Sequence, residues 1–219
     1  MKKEEKETVR SALENIFGIF EGLSGIKIPR CYSNEPCEYF PNHTDVQKTY
    51  VSWWKYRREN MDGIDVESLI KDLRIREAVL YPPNSHHHVI IIKDIACSSF
   101  CERILLGMTW PIVPSSLPSY EEGSIFRAPG VAVISVGSIK MFYGDKWQKA
   151  FLIRAAYELG RLYRLSDSYC SYPYCVMGGR HDKENIDKIL KNNPHLYCRF
   201  DLQYLRINLK MVHGGLDSL

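Results

Sequence analysis

No apolar run in this chain of 219 residues is long enough to cross a bilayer. No internal repeat or low-complexity tract is visible, which argues against solenoids and fibrous or linker-dominated chains. The charge excess is small, with 29 Lys and Arg against 26 Asp and Glu and a net charge of +3. That balance permits an acidic partner without demanding one. The opening MKKEEKE is charged and does not resemble a signal peptide. A soluble, cytoplasmic protein is expected, with no membrane partner and no small-molecule cofactor. Hydrophobic residues make up 45% of the chain, enough for a sizeable core in one domain or a compact two-lobed one. Seven cysteines is an odd number. In a reducing compartment they read as thiols and metal ligands rather than disulfides.

Val9, Leu13, Ile16, Phe17 and Phe20 have helical spacing, which predicts a helix over 5–22 ended by Gly25. Ile26 to Ile28 reads as a short strand, and 31–44 as a loop. Helices are expected over about 45–60 and 66–73. His88 to Ile95, Ile104 to Trp110 and Val131 to Ile139 read as strands. The four prolines between Pro111 and Gly130 mark a long loop. A long helix is expected over about 146–165, and a short one over 183–191, capped by Asp182 and closed by Pro194. Alternating helices and strands indicate an α/β (α+β) domain.

Residues 157–167 read YELGRLYRLSD. A metzincin-type zinc helix has the pattern H-E-x-x-H-x-x-G, with a third ligand three positions on. Here Glu158 is kept, but Tyr157 and Arg161 hold the two histidine positions. Arg164 holds the glycine position, and Asp167 the third ligand position. A guanidinium has no lone pair to give and does not deprotonate in a protein. Tyr157 is a poor zinc ligand at neutral pH, because a phenol ionises near pH 10. Without a metal-bound water, Glu158 has nothing to activate. Downstream stand Cys170-x4-Cys175-Val176-Met177 and Cys198-Arg199-Phe200-Asp201.

In that order, a degenerate zinc helix, then C-x4-C-x-M, then a C-x-x-C-like step, the chain resembles the archaemetzincins. IIIKDI, ILLGMTW and VAVISVGSIK are similar to the strands that lead into that family's zinc helix. The resemblance covers 45–219, with 166–219 as its zinc-staple segment. Residues 1–44 match poorly, and the spacings before Cys170 and between Met177 and Cys198 are longer than the family's. It implies a metzincin-like fold with a mixed, twisted sheet and flanking helices. Met177 would sit in a turn below the former metal site. It also implies a structural zinc held by four cysteines. Cys170, Cys175 and Cys198 match three of these, and Asp201 takes the fourth place. His195 or His181 is the alternative fourth ligand. Three free buried thiols are the competing reading.

Other cysteines and histidines give weaker signals. Cys97 and Cys101, and Cys31 and Cys37 with His43, read as free thiols in their segments. His86-His87-His88 reads as a solvated loop end entering a strand, since consecutive side chains diverge.

Two surfaces suggest anion binding. Tyr157, Arg161 and Arg164 share one helical face, which Arg154 can join, where the resemblance implies a substrate cleft. The alternative is a filled cleft whose arginines lie in salt bridges, with Glu158 pairing with Arg154 or Arg161. Lys48 to Arg58, KTYVSWWKYRR, carries Lys48, Lys55, Arg57 and Arg58 among two tryptophans and two tyrosines. That mixture suits phosphate contact and base stacking, or else an amphipathic helix with both tryptophans in the core. The expected function is a catalytically inactive, archaemetzincin-like binding protein on the ribosome or another ribonucleoprotein, possessing contacts to RNA phosphates. The alternatives are a peptide-binding pseudoprotease and a metallopeptidase with a rearranged metal site built from Glu158, Asp167 and a histidine from elsewhere.

Overall fold

The computed structural model describes residues 1–28, 30, 63–66, 69, 87–98, 103–111, 130–165, 170–178 and 181–213. Helix α1 is Lys3–Ser24, and strand β1 is Ile64–Asp65. Next come β2 (His88–Ile92), β3 (Ala96–Cys97), β4 (Ile104–Leu105), β5 (Gly107–Pro111) and β6 (Gly130–Ser135). Helix α2 (Val136–Tyr143) leads through a single 3-10 turn into α3 (Trp147–Leu162). The chain closes with α4 (Ile186–Asn192) and α5 (Arg199–His213). This is a mixed α+β architecture of small mixed sheets flanked by helices.

The main sheet has the order β2-β6-β5, with β6 parallel to β2 and antiparallel to β5. All six residues of β6 are buried, so it reads as a continuous apolar run rather than an alternating one. Its two faces feed different clusters. Ala132 and Ile134 pack with α1 and α3, while Val131 and Val133 join Ile90, Ile92, Val66 and Leu69 on the other side. The smaller sheet, β1-β3-β4, has two-residue strands, too short for any period to show in the sequence.

Helix α1 buries the expected stripe of Val9, Leu13, Ile16, Phe17 and Phe20. Phe20 meets the Tyr163 ring edge-on at 5.4 Å between centroids, so the N-terminal helix shares the core of α3. Gly25 closes α1 in the left-handed region, at φ 69°. The strand expected at Ile26 to Ile28 does not form, because side chains occupy its backbone donors. Ile26 N–H donates to Ser24 Oγ at 3.1 Å, and Ile28 N–H to Glu21 Oε1 at 2.8 Å.

The run expected to be a strand as far as Ile139 breaks at Ser135. Its Oγ accepts from the Ser138 N–H at 2.9 Å and so caps α2. A Cβ on Gly137 would lie 2.6 Å from the Lys93 carbonyl oxygen, so the turn from strand to helix needs a glycine there. Helix α5 went unexpected behind its cysteine, although Leu202, Leu205 and Leu209 are spaced as an inward stripe. No helix among the described residues is long and apolar enough to cross a membrane. The expected helix over 45–60 lies outside the described residues.

Candidate functional site

Helix α3 runs beneath β5 and β6, and its last two turns carry Tyr157, Glu158 and Arg161. Glu158 is 1% exposed. Its Oε1 lies 2.5 Å from Nη2 of Arg154, one turn earlier, and its Oε2 accepts a hydrogen bond from Thr109 of β5. Arg154 also donates to the Gly107 carbonyl at 2.7 Å. A Cβ on Gly107 would stand 2.9 Å from that carboxylate, so the strand gives room for Glu158 by lacking a side chain. A buried charge must be paired and hydrogen-bonded. Glu158 is paired through Oε1 and hydrogen-bonded through Oε2, while Arg154 Nε is buried with no hydrogen-bond partner among the described residues. The carboxylate ties the helix to β5.

Tyr157 and Arg161 touch each other. Arg161 donates to the Tyr157 hydroxyl at 3.2 Å, while the Arg154 and Arg161 guanidinium carbons lie 4.8 and 5.7 Å from its ring centroid. His181 closes the cluster edge-on at 5.4 Å. Burial, with the charge of Arg154 as a second cause, pushes the His181 imidazole down to about 4, so it is neutral at pH 7. His181 Nε2 is buried with no hydrogen-bond partner among the described residues. The face where the zinc pattern puts its ligands therefore holds two guanidiniums, a phenol and a neutral imidazole.

The end of α3 gives an independent register for the motif. Arg164 N–H donates to the Arg161 carbonyl and Leu165 N–H to the Gly160 carbonyl, both at 2.9 Å. These are the two bonds of a helix end closed by a left-handed residue. That residue is Arg164, with φ 66°. It stands where H-E-x-x-H-x-x-G has its glycine, in the backbone conformation that glycine adopts most readily. Its half-buried side chain has a guanidinium pushed below its ordinary value by burial. Met177 is 2% exposed in a turn against this helix. A Cβ on Gly160 would lie 2.8 Å from Met177 Sδ.

The second cluster joins two segments far apart in sequence. Cys170, Cys175, Cys198 and Asp201 bring their ligand atoms within 4.8 Å of one another. The Cys170 and Cys198 sulfurs are 3.7 Å apart, and Asp201 Oδ2 lies 2.9 Å from Cys175 and 3.1 Å from Cys198. Tetrahedral zinc with Zn–S bonds of about 2.3 Å separates two sulfurs by roughly 3.8 Å. The donor set fits in chemistry and nearly fits in spacing, with the oxygen somewhat tighter to the sulfurs than a bound ion would hold it.

Backbone N–H groups of Met177 and Cys198 point at Cys175 Sγ, at 3.4 and 3.2 Å, as donors to a thiolate would. Cys198 caps α5, its carbonyl accepting from Leu202 N–H at 2.9 Å, and Asp201 lies in the first turn, where the helix dipole favours a negative charge. Burial raises the Cys170 thiol to about 11. Burial and then the hydrogen bond to Asp201 push Cys175 up as well. A dication among these groups would reverse both shifts. The cluster can hold a metal ion, and four protein donors would leave it no open position.

His195 is exposed and lies outside this cluster, and His181 faces Tyr157 instead. Among the described residues only Asp201 completes the three cysteines. Cys97 is a buried thiol in β3 and is not part of that cluster. Asp167, Cys31, Cys37, Cys101, His43, His86, Lys48, Lys55, Arg57 and Arg58 lie outside the described residues. Arg154 could be found from its spacing to Glu158. Thr109, 49 residues from Glu158 in sequence, could not.

A helix carrying a zinc-protease register under a mixed sheet, with a methionine turn packed on it, defines a zinc-peptidase-like fold. No protein-family model matches the chain, and no curated protein matches it in sequence. A solved structure described as a zinc-dependent peptidase from Methanocorpusculum labreanum is similar, with a TM-score of 0.52 and 13% identity over 89% of this chain and 93% of that one. At that identity the likeness is one of fold alone.

Proposed function

We propose that this chain is a catalytically silent protein of zinc-peptidase-like fold that works by binding, and that Cys170, Cys175, Cys198 and Asp201 hold one structural zinc. The observation that carries the first part is the state of Glu158. A general base must reach a water or a substrate proton. Here the carboxylate is covered and engaged by Arg154 and Thr109, while Arg161 occupies a ligand position. A dication beside two guanidiniums would be repelled. The zinc, when bound, supplies cross-linking rather than Lewis-acid chemistry, because its shell is closed.

The partner we favour is the ribosome or another ribonucleoprotein, met in the cytoplasm. The mild basic excess and the aromatic-basic segment around Lys48, Lys55, Arg57 and Arg58 support it, with Arg161 and Arg164 as a second patch. A second reading is a peptide-binding pseudoprotease. It is favoured by β5, the edge strand of its sheet among the described residues, which can accept an added strand.

Three measurements test this. Purified protein, with and without added zinc, should cleave no peptide substrates. Chelator-sensitive cleavage that disappears in Glu158→Gln would reinstate a rearranged metallopeptidase. Metal analysis should find at most one zinc per chain. The protein should co-sediment with ribosomes or free RNA at low salt and be released at high salt; if extended peptides bind instead, the pseudoprotease reading takes over.

A further inference from the structure

Helix α5 has a second face that no described element packs against. Its inner face buries Asp201, Leu205, Asn208 and Leu209. Phe200 is 73% exposed, Tyr204 62% and Ile207 45%. Three of the six exposed large hydrophobics among the described residues thus fall on one helix at i, i+4 and i+7. That spacing makes a continuous ridge, not scattered surface residues. The charges beside it are of one sign. Arg199, Arg206 and Lys210 flank the ridge, and the only acid of the helix, Asp201, is turned inward into the cysteine cluster.

We propose that this ridge docks an acidic amphipathic helix of a protein partner. The i, i+4, i+7 anchors are those of one helix lying along another. An aliphatic Ile207 continuing the two aromatic rings suits side-chain interdigitation better than base stacking, which needs flat rings. Glutamates and aspartates on the partner would meet Arg199, Arg206 and Lys210 at the rim, where they set register and on-rate. The surface is separate from the degenerate zinc helix and does not depend on whether Glu158 has lost catalysis.

The test uses the full chain, purified with its metal content measured. The probe is a synthetic 18-residue helical peptide with leucines at i, i+4, i+7 and i+11 and glutamates beside them. A lysine version with the same leucines, a scrambled peptide, a single-stranded RNA and anionic phospholipid vesicles serve as comparisons. Self-association is followed by sedimentation. The acidic peptide should bind at least tenfold more tightly than the lysine and scrambled peptides, and weaken as salt rises. Phe200→Ser with Tyr204→Ser and Ile207→Ser should reduce binding at least tenfold while leaving the melting temperature and zinc content unchanged. If that variant misfolds, Arg206→Glu with Lys210→Glu should still reduce acidic-peptide binding and favour the lysine peptide. Equal binding of all peptides, binding indifferent to both variants, or loss of RNA, vesicle or self-binding in their place overturns the proposal.

Discussion

Glu158 is the residue on which the two views of this molecule part. As a catalytic base it would be dispensable for stability. As a buried ion-pair partner it holds α3 to β5. Glu158→Gln leaves the Arg154 guanidinium without its counter-charge and should cost about 2–3 kcal/mol in urea unfolding. Thr109→Val removes the hydroxyl bonded to the same carboxylate and should cost about 1–2 kcal/mol. The double variant should lose less than the two losses added, because both act on one network. A stable Glu158→Gln, or strict additivity, would show that the tie is not made in solution. His181 offers a test in pH. Its folded value of about 4 lies below the 6.5 of a free imidazole, so the unfolded chain binds more protons between those values. Its contribution is complete above pH 6.5 and drains away as pH falls toward 4, by up to about 3 kcal/mol. The unfolding midpoint of His181→Gln should fall less than that of the unaltered chain between pH 7 and pH 4.5. Equal falls would mean that His181 is solvated.

At the scale of elements, the cysteine cluster decides how the last quarter of the chain is held. Cys175→Ser removes the buried sulfur that Met177, Cys198 and Asp201 all address. If zinc is there, the variant or a strong chelator should release it. The melting temperature should then fall by about 10 °C, as expected when several kcal/mol of metal binding is folding energy. Amide exchange should quicken first in the N-terminal turns of α5. Indifference to chelator would return these thiols to the status of packed small hydrophobes.

What could be read from the sequence at this scale follows from signal length. The α1 stripe, β2, the buried run of β6, α3 and α4 all have enough residues for a period or a β-branched cluster to show. The two-residue strands do not. The strand-to-helix switch at Ser135 was hidden because Val136 and Ile139 suit either state, and one serine cap decided it. The three cysteines were legible through the family resemblance, which left Asp201, His195 and His181 open for the fourth place; the fold puts Asp201 beside them. The pairing of Glu158 was only half legible. A helix displays its i, i+4 partner, but the strand partner depends on how the sheet is laid across the helix.

For the whole molecule, the proposed ribonucleoprotein partner has a quantitative signature. Contacts made through phosphates release counterions, so log affinity should fall linearly with log salt, and each lost contact should lower the slope by about one. Reversing charge at Arg57 and Arg58 should weaken binding to all sequences alike, since phosphates carry no base information. The same treatment of Arg161 and Arg164 tests the second patch. Trp54→Ala distinguishes stacking from core packing when a melting curve is taken beside the binding curve. Association indifferent to salt and to both charge reversals would point to recognition of a protein surface.

The main sheet carries one more consequence, in the order of events during synthesis. Its central strand is the last of the three to be made. Among the described residues β2 and β5 do not pair with each other, and each pairs with β6. His88 meets Val131, roughly 40 residues further along, so sheet formation is a distant closure rather than a growing hairpin. Until Ser135 has left the ribosomal tunnel both outer strands lack β6, and until Leu162 has followed α1 lacks the face of α3 on which it rests. Folding of this chain is therefore expected to be late and concerted. A nascent chain halted before residue 130 should be held by chaperones, while one released after α3 should collapse in a single step.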